Sequence, residues 1–512
     1  MVPEAVAVPA DRDDLVCLVR WAREAGRPLV PRGAGSGMPG GNVGAGVVVD
    51  LTQGFRQPTV VDPERQTARA GAAVTYRELS DAAAAHGLRL APDPASGAFC
   101  TLGGMVSTNA AGPKSYKHGA MRAWVKSVEF VTADGEVGRA PAPDAAPYAE
   151  TAAERRARSD LAPYLREHQR LLESQRVKTR KNSSGYHFVA PDAERWVREL
   201  LVGSEGTLAF VTEVEVRLAP APERSLTLLV PVPSLEHIST IVASCTQAAP
   251  EAVELLDRTY LGFVRALGTR VPRSAEAVLL VEALPEALQY IRMVGVARGV
   301  LIAEDPQDQA RIWDLRQMAS PILANLPDHQ RSLQVVEDGC VPVDRLGDYV
   351  AGLRGAAERH GFEVVIFGHA GDGHVHANVL ADVRRPDLAQ RLGALLNDVT
   401  TMQIALSGTT SGEHGDGRLR SPFLERLHGA VHTEASRRLK RAFDPGGILN
   451  PGVKLPLASG ATLDASLLKV GGDAPEIPAG AALALREIER TAGWGRFKLD
   501  LAPEPAPVPA QP

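Results

Sequence analysis

The spacing of apolar positions changes period along the chain. Between 11 and 25, Leu15, Val19 and Ala22 recur at helical spacing, with Asp13 and Asp14 near the positive end of the helix so predicted. Short apolar runs predict strands at 28–31 and 47–51, separated by a glycine-dense stretch from Gly33 to Gly46. The same reading gives strands at 67–70 and 126–132, a helix at 75–86 and a turn at 133–136. Pro141, Pro143 and Pro147 then mark a loop, and a charged helical stretch runs to about Arg176. From Glu154 to Lys181 it holds nine Lys/Arg against four Asp/Glu. A solvated helix is the expectation, with a docking surface for an acidic partner as the alternative.

Strand-like sequence returns from Gly203 to Leu218, and Pro220-Ala221-Pro222 reads as a boundary. Beyond it, strands at 226–230 and 277–281 alternate with helices such as 235–248, in a unit that runs to about 442. Phe443-Asp444-Pro445-Gly446-Gly447 stops a basic helix. The tail past Lys454 offers one helix, at 481–491, and a proline-rich extended end.

Composition narrows the function. The 512 residues are 44% hydrophobic and 23% charged, enough for a sizeable core in two or three domains. A net charge of -5 argues against a nucleic-acid binder. Four scattered cysteines, Cys17, Cys100, Cys245 and Cys340, form no C-x-x-C pair, so an iron–sulfur cluster or disulfide scaffold within this chain is not expected. No apolar run approaches the ~18 residues that span a bilayer, and Met1 to Ala5 carries no signal-peptide pattern. The expectation is a cytoplasmic protein that reaches a membrane only through a partner.

Gly35-Ser36-Gly37-Met38-Pro39-Gly40 matches G-x-G-x-x-G by letter. A Rossmann fingerprint requires a helix to open there, and Pro39, Gly40 and Gly41 are poor helix residues. The loop can still turn backbone N–H groups toward a pyrophosphate. Pro92 to Gly112 and Gly203 to Leu208 add small and hydroxyl residues suited to a long, thin polar ligand. In their order, PRGAGSGMPGG, PDPASGAFCTLGGMVSTNAAG and GSEGTLAFVTE resemble the FAD-binding fold of the vanillyl-alcohol-oxidase type, over most of residues 1–220.

Four of the 13 histidines crowd into two windows, Gly368 to Asn378 (His369, His374, His376) and Ser411 to Arg418 (His414). A strand at 364–367 leads into the first. If a strand also follows Gly373, His374 and His376 share a face. Imidazole with carboxylate suits a divalent metal such as zinc. These windows and FDPGGILNPGVK resemble the D-2-hydroxy-acid dehydrogenases: glycolate oxidase flavin subunit, D-lactate dehydrogenase and D-2-hydroxyglutarate dehydrogenase. Val453 interrupts the family's NPGK ending, and His374 stands where the family usually has Asn.

The resemblance implies an α+β fold, with a two-subdomain FAD-binding domain at 1–222 (charged insert at about 139–181) and a substrate (cap) domain with the metal site at 223–442. A return segment at 443–455 and an extension at 456–512 complete it. It implies FAD, bound non-covalently, on Pro31, Arg32, Gly33, Ala34, Gly35, Ser36, Gly37, Met38, Gly40, Gly41, Pro92, Ser96, Thr101, Gly103, Gly104, Asn109, Gly112, Gly203, Glu205, Gly206, Thr207 and Asn450. It places the metal (zinc first, manganese or iron as alternatives) on His369, His376 and Glu413, and the catalytic base on His414. Arg316, in Trp313-Asp314-Leu315-Arg316, and Asn378 are its substrate contacts. Glu337-Asp338 falls where some relatives carry a substrate-binding lysine, which puts a second substrate carboxylate in doubt.

The expected reaction is oxidation of a D-2-hydroxy acid to the 2-oxo acid, by proton abstraction and hydride transfer to the flavin. The charged insert, KNSSGY and SGEHGDGR look most like relatives fused to an iron–sulfur domain, so the expected partner is an iron–sulfur or other electron-acceptor protein. A homo-oligomer is a further expectation. The alternatives are an oxygen-using oxidase, a flavin electron-transfer subunit, and a metal hydrolase whose glycine loop holds phosphate.

Overall fold

The computed structural model describes residues 1–140, 148–191, 195–221, 225–267, 271, 274–285, 299–327, 329–457 and a few single positions beyond 457. The proline-marked loop at 141–147 and most of the tail, including the helix expected at 481–491, lie outside the described residues.

The N-terminal part is built on two sheets. Helix Arg12–Ala25 starts where the Asp11 carboxylate accepts from the N–H groups of Asp13 and Asp14, and stops at left-handed Gly26. Its Leu15, Val19 and Ala22 are buried against a three-stranded parallel sheet, in the order Ala5–Ala7, Val47–Asp50, Leu29–Arg32. An antiparallel sheet follows, in the order Val60–Asp62, Thr67–Gly71, Ala209–Arg217, Val125–Thr132, Val137–Ala140. Both sheets share one core, to which Ile448 and Leu449 contribute. The strand Leu29–Arg32 continues its hydrogen bonding to this late segment: Leu29 N donates to Ile448 O and Asn450 N to Leu29 O.

The charged stretch is a nearly continuous helix, Ala152–Arg156 and Ala162–Ser174 joined through a π turn at Ala157–Leu161. It is not solvated all round. Ala153, Leu161 and Leu165 pack on Ala435, Leu439 and Phe443 of helix Leu424–Phe443. Apolar residues at helical spacing face inward, and most of the arginines face out.

The second large sheet runs Leu301–Ala303, Leu226–Val232, Ala277–Ala283, Ala252–Asp257, Glu363–Gly368, His374–Asp382, Gln330–Leu333, and Gly339–Cys340 also pairs with His374–Asp382. Helices Ile238–Thr246, Leu346–Arg359 and Leu388–Ala405 cover one face, and Arg258–Ala266 with Pro306–Gln317 the other. Burial on both faces explains the largely apolar sequences of strands such as Leu226–Val232 and Ala277–Ala283. The two halves meet at Glu251, whose carboxylate accepts from Arg89 at 2.8 Å and lies 3.0 Å from His118 Nε2. No described helix is long and apolar enough to cross a membrane.

Candidate active site

Two strands carry the histidine cluster. Glu363–Gly368 and His374–Asp382 pair antiparallel, with Phe367 opposite His376 and Val365 opposite Asn378. His374, His376 and Asn378 lie two residues apart on one strand, and so share a face. His369 leaves the end of the first strand in the connecting turn, which closes on left-handed Gly373, where φ is +72°. The loop 411–418 comes in from the other side. Its position is fixed by Asp338, which accepts from Ser411 Oγ and from the N–H groups of Gly412 (through its carbonyl), Glu413 and His414.

Three atoms converge. His369 Nε2 is 3.0 Å from Glu413 Oε1, His376 Nε2 is 3.4 Å from the same oxygen, and the two imidazole nitrogens are 3.4 Å apart. Ligand atoms about 2.0–2.2 Å from one tetrahedral zinc lie roughly 3.3–3.6 Å apart, so two edges of this triangle already fit a metal-binding face and the third is slightly short. The other nitrogens are committed elsewhere. His369 Nδ1 is 2.5 Å from Glu254 Oε1, and His376 Nδ1 is 3.2 Å from the Glu337 carbonyl. A second-layer acceptor of this kind fixes tautomer and ring orientation in metal sites.

His414 stacks on His376, ring centroids 5.0 Å apart, and its Nδ1 lies 2.6 Å from Glu337 Oε2. That leaves Nε2, 3.7 Å from Glu413 Oε1, directed at the cluster. Burial disfavours the charged form of His414, but Glu337 and Asp338 outweigh it and hold the imidazole up to about 10. Burial likewise opposes charge on His369, and Glu254 more than offsets it, so its direction is upward. Burial raises Glu254, yet His369 and Arg316 bring it down to about 2. Burial dominates at His374 and pushes it down to about 3.

Arg316 is not a surface arginine. From helix Pro306–Gln317 its Nε reaches Glu254 Oε2 at 3.0 Å, and its guanidinium lies 4.6 Å from the Phe367 ring centroid. Asn378 Oδ1 accepts from Ser332 Oγ and Gln334 Nε2. The chain Arg316–Glu254–His369–Glu413 therefore joins the candidate substrate arginine to the candidate metal ligands.

Sequence reasoning missed two members of the cluster. Lys181 is fully buried, with Nζ 2.9 Å from Glu413 Oε2 and 3.2 Å from the Gly112 carbonyl. Burial opposes its charge, and Glu413 and Asp372 outweigh burial and raise it. Glu254 gave one signal, an acid within the otherwise apolar run 252–256. Lys181 stood out only as the first residue of KNSSGY, and its basic and polar neighbours gave no sign of a site role.

The flavin-type loops meet beside this cluster. A Cβ on Gly33 would lie 2.5 Å from Thr101 Oγ1, and one on Gly206 would lie 2.6 Å from Pro31 Cγ, so these backbones approach as only glycine allows. Thr101 caps helix Leu102–Thr108 through the N–H of Gly104, and Gly103 N donates to the Ala72 carbonyl. Asn109 ends that helix in the left-handed region, and Gly112 packs on the 92–96 segment at Asp93. Gly203 and Glu205 donate their N–H groups to the carbonyls of Val106 and Ser107, and Thr207 Oγ1 is 2.6 Å from the Tyr186 hydroxyl. Asn450 Nδ2 donates to the carbonyls of Gly41 and Glu205, at 2.8 and 2.7 Å. The Glu205 carboxylate accepts from Asp416 N and Gly417 N, and Arg418 donates to the Gly40 carbonyl. Ala34 and Ser36 lie along the same loop, Arg32 at its start donates to the Asn42 carbonyl, and Gly37 and Met38 are exposed at its tip. Among the described residues, no N–H group between Gly33 and Gly41 has a protein acceptor.

Comparison with known proteins adds to this geometry. Residues 3–140 match the FAD binding domain family, and residues 221–453 match the family described as FAD linked oxidases, C-terminal domain. A D-lactate dehydrogenase of Archaeoglobus fulgidus is 30% identical over 455 residues, which cover 87% of this chain and 90% of that protein. The chain belongs to the FAD-linked oxidase family. Glycolate oxidase subunit GlcD of Bacillus subtilis is 29% identical over 464 residues, 88% of either protein. A D-2-hydroxyglutarate dehydrogenase of Pantoea ananatis is 27% identical over 88% of this chain, which spans 48% of that longer protein. The fold is shared with alkyldihydroxyacetonephosphate synthase, at a TM-score of 0.55 and 15% identity over 87% of this chain and 75% of that one. The family relation carries the FAD-binding domain and the α+β architecture, and it removes the hydrolase alternative.

Proposed function

We propose that the chain is an FAD-dependent, metal-assisted dehydrogenase that oxidises a D-2-hydroxy acid of the lactate, glycolate or 2-hydroxyglutarate class to the 2-oxo acid. One observation carries this reading. Loop 411–418 brings a metal ligand, a base and contacts to the glycine loop together: Glu413 faces His369 and His376, His414 faces the same point, and Asp416, Gly417 and Arg418 bond to Glu205 and Gly40.

The residues fit both groups. The N–H groups along Gly33–Gly41 have no protein acceptor, which leaves them available to a pyrophosphate. The His369–His376–Glu413 triangle offers the nitrogen and oxygen donors of zinc sites, with manganese or iron as alternatives. His118 Nε2 is engaged with Glu251, which argues against a covalent flavin bond at that ring and for non-covalent FAD. When bound, FAD supplies the acceptor for the hydride that leaves C2, and the metal supplies the Lewis acidity that lowers the hydroxyl pKa.

His414 receives the hydroxyl proton on Nε2, because Nδ1 is occupied by Glu337. Arg316 presents the guanidinium edge not used by Glu254 to the substrate carboxylate, and Asn378 orients the substrate from the same strand face as His376. The two electrons then pass to an iron–sulfur or other acceptor protein.

Anaerobic addition of D-lactate, glycolate or D-2-hydroxyglutarate to the yellow protein is expected to bleach the flavin, and chelation to prevent it. A colourless protein that cannot be reconstituted with FAD would sink the reading. For Arg316→Lys, a KM for the hydroxy acid roughly 10–100-fold higher is expected, because one lysine cannot serve Glu254 and bind a carboxylate with two parallel hydrogen bonds. An unchanged KM would place the carboxylate elsewhere.

A further inference from the structure

We propose that His374 is a fourth protein ligand, so that the metal centre is held by three imidazoles and one carboxylate. The proposal rests on the metal reading above and extends it to a residue that the motif resemblance does not assign.

Four histidines surround the cluster, and each sets one ring nitrogen against an oxygen. In three of them the other nitrogen has a neighbour: His369 Nε2 and His376 Nε2 lie near Glu413 Oε1, and so does His414 Nε2. His374 differs. Its Nε2 lies 2.9 Å from Asp338 Oδ1, while its Nδ1 is fully buried without any hydrogen-bond partner. A ring nitrogen left bare in a fully buried imidazole is costly unless something fills the place.

Asp338 fixes which nitrogen is bare. Its carboxylate also accepts from Ser411 Oγ and from the N–H groups of Glu413 and His414, and it lies against Arg420. A carboxylate so held stays an acceptor, so His374 Nε2 carries the hydrogen and Nδ1 presents a lone pair. This pairing mirrors Glu254 with His369, the carboxylate–histidine arrangement that orients metal ligands.

The position fits as well. His374 and His376 project from one face of the strand His374–Asp382, ring centroids 4.7 Å apart, and His369 lies 5.3 Å from His374. Each of His369, His374, His376 and Glu413 offers one ligand atom, and the four atoms lie within 4.8 Å of one another. Ligand atoms around a tetrahedral zinc lie roughly 3.3–3.6 Å apart, so side-chain movement of about an ångström at the widest pair completes the set. Gly412 leaves room for the ring, since a Cβ there would meet His374 Cδ2 at 2.6 Å. Four protein ligands close a tetrahedral shell.

The test uses the purified full chain, with FAD content per chain as the check on folding. Wild type, His374→Asn and His374→Gln are stripped with a chelator and dialysed against Zn2+ in a competing chelator, and bound metal is counted per flavin. X-ray absorption at the zinc edge then counts imidazole ligands. The expected result is three imidazoles in wild type, two in His374→Asn, and zinc affinity at least roughly tenfold lower in both variants. Two imidazoles in wild type, or unchanged affinity in a variant that keeps its flavin, overturns the fourth ligand and leaves the three-ligand site standing. A wild type that takes up no zinc, manganese or iron overturns the metal reading itself, and the fourth ligand with it. If neither variant keeps its flavin, the wild-type spectrum decides alone, three imidazoles for the proposal and two against it.

Discussion

Replacing His414 with asparagine is expected to lower kcat/KM for the hydroxy acid by about 10²–10⁴-fold, the range of a lost general base. Asparagine keeps a polar contact to Glu337 but has no basic nitrogen for the hydroxyl proton. Flavin content is expected to stay at one per chain, because the contacts from this loop to the glycine loop come from Asp416, Gly417 and Arg418, not from His414. A variant with normal turnover would assign the proton to another group.

Glu337 sharpens the same prediction. Its carboxylate, with Asp338, holds the His414 proton up to about 10 against the burial that opposes the charge. Glu337→Gln keeps the hydrogen-bonding shape and removes that charge. His414 then loses its proton at lower pH, so the acid limb of kcat/KM against pH moves downward, while the weaker base lowers the plateau. The metal-free protein gives an independent readout. A group raised from 6.5 to about 10 contributes stability that is fully present below about 6.5 and is lost as pH rises through about 10. The melting temperature of the chelated wild type should therefore fall across that window, and that of chelated Glu337→Gln should fall less.

Much of this site was legible in the sequence, because its chemistry sits in short runs. Two histidines spaced by two on a strand face, a third at the end of the preceding strand, and Glu413-His414 in a glycine-rich loop each announce themselves locally. The glycine loop was legible too, and its rejection as a Rossmann turn follows from Pro39 and Gly40; the structure places turns there and then the strand Val47–Asp50. Lys181 and Glu254 were not legible as site members. Each acquires its role from a contact more than a hundred residues away: Lys181 reaches Glu413 across 232 positions, and Glu254 reaches His369 across 115. Charge in a buried strand is a local signal, but its partner is not. The charged helix at 152–174 misled for the opposite reason. Its arginines dominate the composition, while three small or aliphatic residues, Ala153, Leu161 and Leu165, decide where it packs. Arg316 lay between these cases, since a helix position shows reach but not direction, and only the pairing with Glu254 turns it inward.

Removing the metal is expected to have the largest effect of all, loss of flavin bleaching by the hydroxy acid to below detection, with the yellow colour retained. The two halves of that outcome have separate physical causes. Colour is retained because loops 33–41, 203–207 and 415–418 are tied to one another by Glu205, Asn450 and Arg418, none of which belongs to the His369–His376–Glu413 triangle. Bleaching is lost because His369, His376 and Glu413 then hold no Lewis acid to lower the pKa of the substrate hydroxyl. Glu413 keeps its charge for the ion: despite burial, Lys181 and His369 hold it well below the usual carboxylate range. His376→Asn should reproduce the chelated phenotype without a chelator, keeping FAD and losing bleaching, because it removes one corner of the triangle. Adding Zn2+, Mn2+ or Fe2+ back to chelated wild type should restore bleaching, and adding them to His376→Asn should not. If chelated protein bleaches as fast as untreated protein, the triangle is structural, and His414 with Arg316 must carry the oxidation without a metal.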